Sequence, residues 1–159
     1  MNIYFVCTGN TCRSPMAEAI LKSLQIENVR VKSAGVYALE GGAMSENAQS
    51  ALADDNITLD HVSRAVNEHD LSWADFVLTM TAKHKELVLL SYPQFEGKVF
   101  TLKEFTAPYA SKDISDPFGG DTYQYKQTFN ELKHYILLLQ SKLEKQTEGI
   151  TSGTKENEV

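Results

Sequence analysis

The chain is poor in cysteine, with only Cys7 and Cys12 among 159 residues. Two thiols exclude a small disulfide-built secreted scaffold, which uses many more. They also exclude a typical structural zinc site, which takes four Cys/His ligands grouped in pairs. The four histidines (His61, His69, His84 and His134) are scattered and share no metal-type spacing with the cysteines. Neither a metal nor another cofactor is expected. Long apolar stretches are missing too, and runs such as Leu87 to Leu90 are far too short to span a bilayer. No Lys/Arg-rich run stands out, and 15 basic against 21 acidic side chains leave a net charge of −6. That balance argues against a nucleic-acid partner. The first residues lack both a positive n-region and a long apolar segment, so no signal peptide is expected. The expectation is a soluble, cytoplasmic domain, a monomer with neither membrane nor nucleic acid as partner.

What the chain does have is core-forming material, 42% apolar residues in a length that fits one domain. "NIYFVC" (residues 2–7) is a short apolar run rich in β-branched and aromatic residues and reads as a buried strand. From Pro15 the period changes, and Met16, Ile20 and Leu24 follow i, i+4, i+8 as in an amphipathic helix. Ser14 suits its N-cap and Pro15 its first position. "VRVKSAG" reads as a second strand and "SENAQSALADDN" as a second helix. "NEHDLSWA" gives a short helical turn, with Trp73 assigned to the core. "DFVLTM" is a third strand, "TAKHKELVLLSYP" a helix stopped by Pro93, and "KVFTL" a fourth strand. The last helix spaces Tyr125, Phe129, Leu132, Ile136, Leu139 and Leu143 by alternating steps of four and three. That spacing fits a core-facing stripe better than a coiled coil over so few turns. Residues 146–159 are polar and rich in Gly, Thr and Glu, as in a disordered tail, leaving one domain over 1–145.

Strands alternating with helices predict an α/β fold: a four-stranded, twisted parallel sheet with helices on both faces. Ligands of such sheets bind beyond the carboxyl ends of the strands. "FVCTGNTCRSPMAEA" lies at one of those ends, where the first strand turns into the first helix. Cys7 and Arg13 stand in a C-x5-R spacing with Thr8, Gly9, Asn10, Thr11 and Cys12 between them. Successive backbone N–H groups in such a loop form an anion-binding nest, reinforced by the helix N-terminus. Gly9 and Asn10 suit the backbone angles a tight curl demands. Arg13 supplies a planar fork of donors matched to two phosphoryl oxygens. In that positive field the Cys7 thiolate is favoured, with a Ser14 hydroxyl to stabilise it. A thiolate beneath a cradled phosphate is a nucleophile aimed at phosphorus. A buried strand cysteine is more often plain core, and C-x5-R alone is a weak signal. The loop, its Gly and Asn, and the Ser-Pro helix opening make the combination specific. Asp116 in "SDPFGG", in a loop after the fourth strand, falls at the same end of the sheet and could protonate a leaving group. Taken alone, Asp-Pro would read as a turn starter.

These paired motifs resemble the low-molecular-weight protein phosphatases, over residues 1 to about 145. The resemblance implies a cysteine-dependent phosphatase acting on phosphorylated proteins. It implies Cys7 as nucleophile, Arg13 as phosphate clamp, Asp116 as general acid and a loop-bracing network of Asn10, Ser14, Ser33 and His61. "CTGNTCRSP", "SAGVYA" and "DPFGG" are similar to the bacterial protein-arginine phosphatase branch. Tyrosine-specific members usually follow Asp-Pro with tyrosines and carry a bulkier aliphatic residue where this chain has Thr11. A phosphoguanidinium would use the Thr11 hydroxyl and the Asp116 carboxylate, and stack on Tyr37 and Phe118. Ordinary loop packing is the competing reading of those two aromatics. A tyrosine phosphatase is the main alternative function. An arsenate reductase would need further cysteines downstream of Cys12, and a phosphocarrier would need neither Arg13 nor Asp116. Cys12, five residues from Cys7, reads either as a small buried loop residue or as the partner that captures an oxidised Cys7 in a reversible disulfide.

Overall fold

The computed structural model describes residues 1–156, with side chains through residue 146. The elements are β1 (Asn2–Cys7), α1 (Arg13–Ser23), β2 (Arg30–Gly35), α2 (Glu46–Ala53), α3 (Glu68–Trp73), β3 (Phe76–Thr79), α4 (Ala82–Ser91), β4 (Val99–Thr101), α5 (Leu102–Thr106) and α6 (Thr122–Glu156). The sheet order is β2-β1-β3-β4, and every pairing is parallel. β1 is therefore central, which explains why its residues are apolar without alternation: both of its faces are covered. Ile3, Phe5 and Cys7 join a core with α1, α2, α5 and α6, while Tyr4 and Val6 join a second core with α3 and α4. The expected four-stranded parallel α/β domain with helices on both faces is the observed one.

The stripe on α6 is wholly buried, from Tyr125 to Leu143, so it is core and not a coiled-coil seam. Each such side chain contributes roughly 1.5–3 kcal/mol on burial. α6 continues through Glu156, so up to that residue the segment expected to be a disordered tail from position 146 is helical. Residues 157–159 lie outside the described residues. The sequence reading also missed α5 and a 3₁₀ segment at Pro93–Lys98, both too short to show a period. Trp73 is only partly buried and packs at the edge of the second core under the Lys32 ammonium.

The start of α1 differs from the expectation in a way that matters. The helix begins at Arg13 with Cys12 as its N-cap, so Ser14 lies inside the first turn and caps nothing. Side chains cap each of α2 to α5: Ser45, Asn67, Thr81 and Thr101 accept from a backbone N–H of the first turn. α1 has no side-chain cap. An uncapped helix N-terminus at the carboxyl end of the central strand presents N–H groups to an incoming anion.

Candidate active site

The loop from Cys7 to Arg13 is built around Asn10. Its backbone is left-handed, with φ of 56°, a conformation that Asn tolerates better than most residues. Every polar group of the buried side chain is engaged. Nδ2 donates to Ser14 Oγ at 2.8 Å and to Ser33 Oγ at 3.0 Å, and Oδ1 accepts from Arg64 N at 3.0 Å. The Asn10 carbonyl accepts from Ser63 Oγ at 2.9 Å and from His61 Nε2 at 2.7 Å. Because a carbonyl can only accept, His61 carries its proton on Nε2 or is doubly protonated. Ser33 passes its own hydrogen to Glu18 Oε1 at 2.8 Å, and Glu18 pairs with Lys22. Three segments of chain, α1, β2 and residues 61–64, thereby converge on one loop residue.

Gly35 closes the fit from below. It lies opposite Cys7 in the β1–β2 register, and a Cβ there would press on the Thr8 carbonyl and come within 2.9 Å of Asn10 N. The neighbours are backbone, so they cannot give way cheaply. Tyr37 N donates to Thr8 O at 2.9 Å and Val36 N to Cys7 O at 2.9 Å, locking the loop's first residues onto the end of β2.

Cys7 ends β1, buried, with its Sγ 2.8 Å from Ser14 Oγ. Burial pushes the thiol up from its ordinary value, and the Ser14 hydroxyl, the Ser14 and Asn10 backbone N–H groups and Arg13 pull it back. The net shift is upward, against the expectation of a favoured thiolate, because burial outweighs the positive field of the loop. Above Cys7 opens a cavity of about 220 Å³ lined by Cys7, Thr8, Gly9, Thr11, Cys12, Arg13, Asp116 and Phe118. Larger hollows of about 480 and 450 Å³ lie beside α2 and behind the loop, and neither contains the thiol. Cys12 is unpaired, its Sγ 3.3 Å from Tyr125 OH and 3.6 Å from Ser45 Oγ.

The loop bearing Asp116 is held over this cavity by its neighbours. Arg13 Nη1 donates to Ile114 O at 3.1 Å, and Nη2 lies 3.5 Å from Asp116 Oδ2. Ile114 N donates to Met80 O at 2.8 Å, and Asp113 Oδ1 accepts from Ala82 N at the start of α4. Glu131 on α6 bridges Ser115 and the buried Lys103 with its two oxygens, at 3.0 and 2.8 Å. Asp116 Oδ1 accepts from Phe118 N at 3.0 Å, leaving the outer part of a half-exposed carboxylate facing Arg13.

A cysteine at the base of an N–H-lined loop, an arginine in its wall and an aspartate at its mouth have a known counterpart. The sequence model of the low molecular weight phosphotyrosine protein phosphatases matches residues 2–149. The chain belongs to this family. It is 45% identical over 148 residues to a protein-arginine-phosphatase from Bacillus subtilis, covering 91% of this chain and 98% of that one. A low molecular weight protein-tyrosine-phosphatase from Staphylococcus haemolyticus is 38% identical over 136 residues, covering 86% and 95%. Among solved structures, the YwlE arginine phosphatase from Geobacillus stearothermophilus superposes with a TM-score of 0.89 at 43% identity, covering 94% of this chain and 96% of that one.

In this phosphatase the structure gathers Cys7, Thr8, Gly9, Thr11, Cys12, Arg13, Asp116 and Phe118 on one cavity, with Asn10, Ser14, Ser33 and His61 beneath it. Tyr37 is not in the cavity wall; it stands 69% exposed beyond the end of β2. Sequence reasoning missed Ser63 and the Arg64 backbone, Glu18, Gly35, Glu131 and His84. Their contacts join segments tens of residues apart, and no local pattern marks them.

Proposed function

We propose that this chain is a protein-arginine phosphatase working through a cysteinyl-phosphate. The observation that carries the reading is one cavity lined by Cys7, Arg13, Asp116 and Thr11. Cys7 attacks phosphorus in line as thiolate, forming the S–P bond as the P–N bond of the phosphoguanidinium breaks. Asp116 gives its proton to the departing nitrogen, and the free arginine side chain leaves. The aspartate then takes a proton from water, whose oxygen attacks phosphorus and releases Cys7 and inorganic phosphate. Arg13 and the loop N–H groups hold the phosphoryl charge throughout. Thr11 and Asp116 give the cavity polar lining that suits a guanidinium, and Phe118 offers a face to stack on. The nearer of the two curated relatives described above is the one named for phosphoarginine. The cavity is complete within one chain, which fits a monomer acting on phosphorylated protein substrates. A free thiol nucleophile fits the reducing cytoplasm. Cys12, lining the same cavity, fits a redox role as partner for an oxidised Cys7.

The test is hydrolysis of phosphoarginine and phosphotyrosine proteins by the purified chain, with Cys7→Ser and Asp116→Asn beside it. A preference for phosphoarginine, lost entirely in Cys7→Ser, is expected. Asp116→Asn should spare an activated aryl phosphate far more than phosphoarginine. A preference for phosphotyrosine would reassign the substrate, and turnover by Cys7→Ser would remove the mechanism.

A further inference from the structure

The residue that follows the nucleophile carries a contact that the scheme above does not use. Thr8 Oγ1 lies 2.8 Å from Nε2 of His84, a residue 76 positions away in the first turn of α4. Thr8 lines the cavity over Cys7, whereas His84 is buried, at 4% exposure. The other ring nitrogen, Nδ1, has no hydrogen-bond partner. Burial disfavours a proton on this ring most, Arg13 repels one further, and Asp113 and Asp116 attract one less strongly. The imidazole is neutral, with its pKa pushed down to about 4.

A neutral imidazole has one N–H, and its position decides what Thr8 can do. With the hydrogen on Nδ1, a buried donor would be orphaned and the Thr8 hydrogen would be spent on Nε2. With the hydrogen on Nε2, only an acceptor is left unpaired at Nδ1. Orphaned buried N–H groups are the rarer and costlier case. His84 Nε2–H therefore donates to Thr8 Oγ1. The Thr8 hydroxyl, its lone pair occupied from behind, keeps its hydrogen for the cavity. The Thr8 backbone is fixed independently by Tyr37 N on its carbonyl.

From this geometry we propose that Thr8 is a side-chain donor to the phosphoryl group, aimed by His84 acting as a positioning residue. The claim rests on the phosphatase reading and deepens it: the loop binds its anion with a hydroxyl as well as with backbone N–H groups and Arg13. The donor serves the phosphoryl oxygens, so it acts alike on every leaving group.

Inorganic phosphate binding by the wild type, Thr8→Val, Thr8→Ser and His84→Phe tests this without turnover, beside kcat/KM on an aryl phosphate and on phosphoarginine. A hydrogen bond to a charged group is worth about 10- to 100-fold. Thr8→Val should weaken phosphate by that order and lower both kcat/KM values in parallel, while Thr8→Ser restores most of the affinity. His84→Phe should weaken phosphate in the wild-type background and add nothing to Thr8→Val. Nitrogen-15 spectra of the intact wild type should place the His84 hydrogen on Nε2 down to about pH 5. Unchanged phosphate affinity in Thr8→Val, or a hydrogen on Nδ1, would overturn the proposal even if His84→Phe failed to fold. If the wild type binds phosphate in this pattern yet hydrolyses neither substrate, the phosphatase reading fails and the phosphate donor stands.

Discussion

The Ser14 hydroxyl has one hydrogen and two acceptors for it, Cys7 Sγ at 2.8 Å and Ala34 O at 3.3 Å. Asn10 Nδ2 holds the oxygen in place from a third direction at 2.8 Å. When Cys7 is a thiol, its S–H can donate to Ser14 while Ser14 donates to Ala34. When Cys7 ionises, the Ser14 hydrogen turns to the sulfur and no other atom needs to move. A thiolate is thus stabilised by reorienting a single hydroxyl, which is preorganisation at low cost.

Ser14→Ala removes the first of the interactions that oppose the burial of Cys7, so the thiol pKa must rise. The acid limb of the kcat/KM profile should move to higher pH, because the thiolate appears only above that pKa. At neutral pH kcat should fall by roughly 10- to 100-fold, the worth of one hydrogen bond to a charged group. A pH–rate profile of both proteins checks this, and an unmoved limb would contradict the role given to Ser14.

Gly35→Ala puts a methyl against the Thr8 carbonyl and Asn10 N. Overpacking against backbone should cost about 1–3 kcal/mol of stability. Because the atoms displaced belong to the anion loop, phosphate affinity should fall with it. Denaturant unfolding and phosphate titration of the variant measure the two effects.

His84 makes stability depend on pH. Its pKa is about 4 in the fold against an ordinary 6.5, so the unfolded chain binds the extra proton between those values. The contribution is complete above about 6.5 and is lost as pH falls towards 4. Urea midpoints across that window should decline more steeply for the wild type than for His84→Gln. Parallel curves would mean that the imidazole is not buried neutral.

Thr11→Ile exchanges the hydroxyl of a cavity-lining residue for an apolar branch. Preference should shift from phosphoarginine towards phosphotyrosine by about 1–3 kcal/mol in relative kcat/KM. Equal damage to both activities would show that Thr11 braces the loop instead.

Cys12→Ser tests the redox reading. Peroxide followed by thiol should restore activity in the wild type and much less in the variant. Cys12 must leave Tyr125 and Ser45 to reach Cys7, so Tyr125→Phe should speed disulfide formation. Full recovery without Cys12 would end the idea.

The sequence by itself determined the order of the four strands and the longer helices, the buried face of α6 and the grouping of Cys7 and Arg13 in one turn at the end of β1. Each of these is local: a period, a spacing or a residue type with few other uses. Even the loop-bracing Asn10 and Ser14 were legible, because they sit between or beside the motif residues. Tertiary structure decided the rest. Of the two roles read for Ser14, helix cap and partner of the thiol, the fold keeps the second: its Oγ lies 2.8 Å from Cys7 Sγ and α1 has no side-chain cap. Tyr37, a natural candidate for the cavity wall, was carried outside it by the turn after β2. Gly35, Glu131 and His84 became site-building residues only when the sheet order β2-β1-β3-β4 laid β2 beside β1 and brought α4 and α6 to the loop. Packing sums over contacts between distant segments, and a periodicity read along one segment carries no information about which partner it will meet.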